Sequence, residues 1–307
     1  MPSNQNPLGA LPARFRRQRL LIIGCGDVGL RVARGLPARL RVLALTSSPA
    51  RVRELRAAGI TPLLGNLDDA ASLARLGSLA TRVLHLAPPP AVGELDSRSL
   101  ALARALRRRA LPQALVYAST TGVYGDCAGD WVAETRPVAP ATPRALRRVN
   151  AERALRQLGR AGARLSILRV PGIYAPDREG GTPRARLLRG TPVLAAPDDV
   201  YTNHIHADDL ARACLAALWR GAAQRCYNVA DASELKMGDY FDLAADLYGL
   251  PRPPRVARSQ ALEQLPLSLL SFMGESRRLV TTRMTRELRL RLRYPTVREG
   301  LVANPHQ

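Results

Sequence analysis

Apolar and polar positions follow one another along this chain in two rhythms: short continuous apolar runs and longer stretches with helical spacing. The runs at Leu20–Gly24, Arg41–Leu45, Thr61–Leu64, Arg82–Leu86, Ala114–Ala118 and Arg164–Arg169 predict six strands. Helical periods lie between them at Val28–Leu36, Pro49–Ala58, Leu95–Arg109 and Arg144–Arg160. Apolar strands alternating with helices are the pattern of βαβ units and a parallel sheet covered on both faces. Beyond Pro171 the pattern loosens into Gly/Pro-rich loops. Helices near Asp208–Trp219 and Met237–Tyr248 break these loops, and Ala223–Val229 returns one more strand to the sheet.

The first run ends in Gly24-Cys25-Gly26-Asp27-Val28-Gly29, a G-x-G-x-x-G spacing between a strand and a helix. That context points to a dinucleotide diphosphate seated on a helix N-terminus. Gly24 serves the tight turn, Gly26 the approach of backbone to phosphate, and Gly29 the close packing of helix on strand. The expected fold is therefore α/β, a Rossmann-type doubly wound parallel sheet with a smaller C-terminal substrate lobe. Residues 1–18 read as a loose tail and 19–170, joined by 203–230, as the NAD(P)-binding domain. Residues 171–202 and 231–307 form the lobe.

Further cofactor-binding positions follow from the strand ends. After the second strand come Thr46, Ser47 and, past a Ser-Pro turn, Arg51, with no carboxylate before Glu54. Hydroxyl and basic groups suit the 2′-phosphate of NADP, so NADP is expected over NAD. Asn66 and Leu67 after the third strand, and Leu86, Ala87 and Pro88 after the fourth, sit where open α/β sheets line their ligands.

Charge changes this picture little. The chain has 307 residues and a formal net charge of +21, but Lys236 is its only lysine and the arginines are spread over nearly every helix. That spread reads as a compositional drift toward arginine and argues against nucleic acid as a partner. No apolar run is long enough to span a bilayer and no signal-peptide core precedes the first strand, so no membrane is expected and the cytoplasm is. Cys25, Cys127, Cys214 and Cys226 are scattered, suggesting neither metal nor disulfide.

Several segments resemble the extended short-chain dehydrogenase/reductase superfamily, the NAD-dependent epimerase/dehydratase group. Val116-Tyr117-Ala118-Ser119-Thr120-Thr121-Gly122-Val123-Tyr124-Gly125 looks like its strand-five signature, which puts the assisting hydroxyl on Thr120 and Ser119 beside the cofactor. Glu134 and Pro137 resemble the acidic residue and proline that follow. Leu168 to Pro176 is similar to the strand-six motif that meets the nicotinamide, with Pro171 in contact. Asn203 to Leu210, Tyr227 to Ala230 and Arg293-Tyr294-Pro295 also fit. The G-x-G-x-x-G spacing points to an atypical branch. The resemblance implies an oxidoreductase or a nucleotide-sugar epimerase/dehydratase.

One departure bears on chemistry. The family relies on a Tyr-x-x-x-Lys pair, and counting back from Glu152 places Arg144 and Arg148 at those positions. Arginine stays protonated near neutrality and cannot exchange protons as a tyrosinate does. Arg148 remains as a fork that holds ribose or phosphate, and Tyr124 is the candidate substitute acid. His85, His204 and His206 read as structural, His206 at a helix start. The alternative function is a dinucleotide-binding sensor or scaffold without turnover. Arg178, Arg184, Arg186 and Arg189 give the lobe a lining for a sugar nucleotide or another acidic metabolite. Gly180-Gly181-Thr182-Pro183 looks like a closing loop, and Leu262–Phe272 is either core or a homodimer face.

Overall fold

A computed structural model describes residues 18–302. Nearly all of the expected tail, residues 1–18, lies outside that range. Seven strands form one sheet: β1 (Arg19–Ile23), β2 (Arg41–Thr46), β3 (Thr61–Leu64), β4 (Arg82–His85), β5 (Ala114–Thr120), β6 (Arg164–Val170) and β7 (Arg225–Asn228). Their order is β7-β6-β5-β4-β1-β2-β3, and every pairing is parallel. The order reverses direction beside β1, where chain crossovers leave on opposite faces. Such a switch point opens a crevice at the strand C-termini.

The strands form because their residues are apolar on both faces. Leu20, Leu21, Ile22 and Ile23 are each fully buried, and each such side chain contributes on the order of 1.5–3 kcal/mol relative to exposure. Leu20 and Ile22 pack with Val28 and Val32 of α1 (Asp27–Arg34) and with Leu210, Cys214 and Ala217 of a late helix, Ala207–Arg220. Leu21 and Ile23 face the other side, with Leu102 and Leu106 of α3 (Ser97–Arg107) and Leu155 and Leu158 of α4 (Pro143–Arg160). The α2 helix (Arg51–Ala57) begins two residues after the expected Pro49, because Arg51 N–H bonds Ser48 O in a turn first.

The C-terminal part has its own apolar cluster, including Tyr174, Leu187, Val193, Tyr240, Phe241 and Leu301. The expected apolar segment Leu262–Phe272 is divided between two short helices, Arg258–Gln264 and Leu267–Met273, with Pro266 between them. Leu262 and Phe272 are exposed. Among the described residues no helix is long and apolar enough to cross a membrane, and no cluster of His, Cys, Asp or Glu could hold a metal ion.

Candidate functional site

A cleft of about 480 Å³ opens where β1, β4, β5 and β6 end, at the switch point. Gly24, Gly26, Asp27, Val28 and Gly29 line one side, and Leu86 and Pro88 continue it. Ser119, Thr120 and Pro171 close the far end, and Arg144, Arg147 and Arg148 of α4 form the facing wall.

The three glycines meet different constraints. Gly24 has φ +83° and a Cβ there would lie 2.5 Å from the Ala87 nitrogen, so the turn needs both the left-handed backbone and the missing side chain. Ala87, expected to touch the cofactor, instead packs beneath this turn, its N–H bonded to Ile23 O. Gly29 carries its α-carbon against Cys25 Sγ and Ile22, where a Cβ would sit at 3.2 Å and 3.3 Å, which brings α1 close to β1. Cys25 is buried, and burial pushes its thiol up to about 11, so it packs rather than reacts. Gly26 has nothing within 4 Å of a built Cβ and lies open to the cleft. A diphosphate fits here: bare backbone faces the cavity at the start of α1, which carries no side-chain cap.

Thr46, the last residue of β2, and Ser47, Arg51, Asn66 and Leu67, beyond the β2 and β3 ends, do not line the cleft. The Thr46 hydroxyl accepts from Ser48 N–H at 3.2 Å, closing the turn. Arg51 is committed: it donates to both carboxylate oxygens of Glu54 at 3.0 Å and 2.9 Å and to Cys25 O at 2.7 Å. Asn66 Oδ1 accepts from Asp68 N–H, and Leu67 packs against the sheet.

At the far end the hydroxyls separate by role. Ser119 is buried and donates to Glu152 Oε1 at 2.6 Å, while Arg169 holds the same carboxylate at 2.9 Å and 3.2 Å. Thr120 is half-buried and lines the cleft, and its oxygen accepts from Gly122 N–H at 3.3 Å. Arg148 donates to Tyr117 Oη at 3.0 Å and Ala118 O at 2.9 Å from within the cleft wall.

The part of substitute acid expected of Tyr124 does not fit its position. Tyr124 is 1% exposed, lies outside the cleft and donates to Asn228 Oδ1 at 2.7 Å. Burial raises its hydroxyl to about 12, against the opposing pull of Arg169. The ring serves as a packing post under Arg169.

His85, His204 and His206 are buried and do not line the cleft. His85 Nε2 lies 2.9 Å from Ser99 Oγ, whose proton goes to Asp96, and burial and then Arg148 depress its pKa to about 3. His206 Nδ1 accepts from Asp208 N–H at 3.2 Å, capping the helix that begins at Ala207.

Residues 20–230 match the model of the NAD dependent epimerase/dehydratase family. The chain belongs to that family. Its fold is shared with a functionally unknown conserved protein from Silicibacter pomeroyi DSS, 31% identical over 92% of this chain and 96% of that one, with TM-score 0.74. UDP-glucose 4-epimerase from Thermotoga maritima, solved with UDP-glucose, gives TM-score 0.75 at 19% identity over 92% of this chain and 96% of that one. UDP-glucuronic acid 4-epimerase from Bacillus cereus, in complex with NAD, gives 0.72 at 15% over the same shares. No curated protein matches the sequence.

For an epimerase/dehydratase family member, the cleft holds residues that motif reading alone does not single out. Arg147 lines it from within α4, three residues past Arg144. Arg178, foreseen only in a general arginine-rich lining, reaches back from the lobe to bond Asp27 at 2.9 Å, and Asp27 also accepts from Arg31. Pro89, Pro90 and Ala91 form an apolar rim. In the expected closing loop, residues 180–183, Gly181 O accepts from Ala175 N–H and Gly181 N–H donates to Arg178 O, and the loop's residues do not line the cleft, which Arg178 just before them does.

Proposed function

We propose that this family member binds a nicotinamide dinucleotide along Gly24–Gly29 and transfers hydride to or from a small-molecule substrate held between β5, β6 and α4. The observation that carries this reading is the open backbone of Gly26, set by the close approach of Gly24 to Ala87 at the mouth of the cleft. When bound, the dinucleotide supplies the hydride chemistry itself. The glycine turn receives its diphosphate, and Pro171 and Ser119 abut its other end. Thr120 donates a hydrogen bond to the reacting oxygen. Arg144 and Arg148 stabilise negative charge on that oxygen electrostatically, in place of a tyrosine–lysine pair, and the oxygen's proton passes to or from water because arginine stays protonated. A sugar nucleotide or another acidic metabolite is the substrate class that this cationic wall suits, and the cytoplasm is the proposed location.

NAD suits the β2 end better than the NADP expected from sequence. The Arg51 charge is already matched by the Glu54 carboxylate, so a 2′-phosphate there would meet a carboxylate as well as a cation. The family's NAD dependence and the NAD found in the Bacillus cereus enzyme support the same choice. Titration of the protein with NADH and NADPH should show tighter NADH binding, and Glu54→Gln should free Arg51 and narrow the gap. NADPH binding tighter to the wild type would overturn the preference. A second reading, a dinucleotide sensor without turnover, draws on the make-up of the cleft: its lining has no histidine, cysteine or tyrosine, and its one carboxylate, Asp27, is paired with two arginines. Turnover of any carbonyl or sugar-nucleotide substrate at saturating NAD(H) would exclude that reading.

A further inference from the structure

We propose that Arg144, Arg147 and Arg148 form an oxyanion-binding wall that grips a carboxylate or phosphate group of the substrate. This deepens the cofactor reading above, on which it rests, by assigning the charge class and the docking wall of the second ligand.

The three side chains project from one face of α4 at i, i+3 and i+4. That helix is set in register by Thr142, whose hydroxyl accepts from Ala145 N–H, and by Pro143 in its first turn. All three line the cleft, and none has an ion-pair partner among the described residues. Arg147 is 7% exposed, its Nη1 donates to Gly93 O, and its Nε has no partner. The only bonds from Arg148 go to neutral oxygens, those of Tyr117 and Ala118. Arg144 rests on the Phe272 ring at 5.4 Å. Desolvation, and then the Arg148 and Arg147 charges, lower its pKa below the usual arginine value, against an opposing pull from Glu275.

Arginines without an ion pair also occur outside the cleft, Arg82, Arg164 and Arg186 among them, but the three of α4 differ in converging on one cavity. Besides Arg147, the buried arginines of the described residues are Arg169 and Arg277, and each is paired: Arg169 with Glu152 at 2.9 Å, Arg277 with Glu275 at 2.8 Å. The fourth cleft arginine, Arg178, is neutralised by Asp27. Arg147 has no such pair, and it stands in the cleft between two further arginines that make no ion pair among the described residues. A buried guanidinium without a counter-charge is costly, and the missing charge must come from a ligand. Opposite lie Pro88, Pro89 and Pro90, which have no N–H to offer, and the apolar Val170, Ile173 and Leu210. The anion is therefore held from the α4 side, in surroundings that strengthen each charge-assisted bond.

Binding of inorganic phosphate and of malonate to the full chain, measured by calorimetry with and without saturating NAD at constant ionic strength, tests this. We expect saturable binding of at least one anion that coexists with NAD, and a loss of about tenfold or more in affinity in Arg144→Gln and in Arg148→Gln, as removal of a charge-assisted contact implies. Arg147→Lys should retain part of the binding even if Arg147→Gln fails to fold. Malonate alone would mark a carboxylate substrate and phosphate alone a phosphate ester, and either supports the wall. No saturable anion binding in a protein that binds NAD would overturn the proposal and leave the cofactor reading intact. Competition between anion and NAD would also overturn it, by assigning the arginines to the cofactor. Anion binding through these arginines in a protein that ignores NAD would sink the cofactor reading alone.

Discussion

Gly24 and Gly26 stand two residues apart and answer to different needs. Gly24 is demanded by the fold, through φ +83° and the Ala87 backbone, whereas Gly26 faces open space. Gly24→Ala should lower unfolding stability by at least the ~1–3 kcal/mol of a forced left-handed residue, readable in urea denaturation. Gly26→Ala should leave that stability within about 1 kcal/mol, the usual Gly/Ala difference, yet weaken dinucleotide binding. Equal stability losses in the two variants would contradict the division of roles. The motif spacing made all three glycines legible in the sequence. It did not show Arg51 to be taken by Glu54 and Cys25 O, because a hydrogen bond between neighbouring side chains is a matter of rotamer choice and leaves no pattern in the residue order.

At the scale of elements, α4 joins the site to the sheet. Its extent was legible from apolar spacing, with the start one residue away from Pro143. Which face it buries was harder to read, since Arg147 and Glu152 are buried alongside Ala151, Leu155 and Leu158. A charged residue reads as solvent-facing until a partner or a cleft on the other side is known. Glu152 accepts from Ser119 and Arg169 at the end of β5 and β6, so it fixes the register of the cleft's far wall. Glu152→Gln leaves Arg169 buried without its counter-charge and should cost about 3–5 kcal/mol of stability, measured by chemical denaturation. A loss below about 1 kcal/mol, the scale of an exposed pair, would show that water reaches this pair. The Leu262–Phe272 stretch shows the opposite difficulty, for Pro266 marks its break into two helices but its apolar residues do not foretell that Leu262 and Phe272 are exposed.

For the whole molecule, the doubly wound parallel sheet was legible because buried parallel strands are apolar along their full length, whereas the strand order came only with the structure. The convergence of residues as distant in sequence as Gly26, Thr120, Arg147 and Arg178 on one cleft was legible only in part, through strand-end rules. The buried His85 links the fold to pH. Its folded pKa, about 3, lies below the unfolded value, so the stability due to the neutral ring is complete above about pH 6.5 and is lost as pH falls toward 3. His204, held near 4 by burial, acts in the same direction. Each should add up to about 1.4 kcal/mol per pH unit to the acid-side loss of unfolding free energy. In His85→Gln the slope between pH 6 and pH 4 should be shallower by that amount. An unchanged slope would mean that the ring gains its proton without unfolding.

The most direct test of the cleft as a dinucleotide site is a fluorescence titration of NADH into the wild-type protein and into Gly26→Ala. Saturable one-to-one binding by the wild type, weakened about tenfold or more by a methyl group that obstructs the phosphate approach, is the expected result. No binding of NADH or NADPH by a folded wild-type protein, or equal binding by Gly26→Ala, would contradict it.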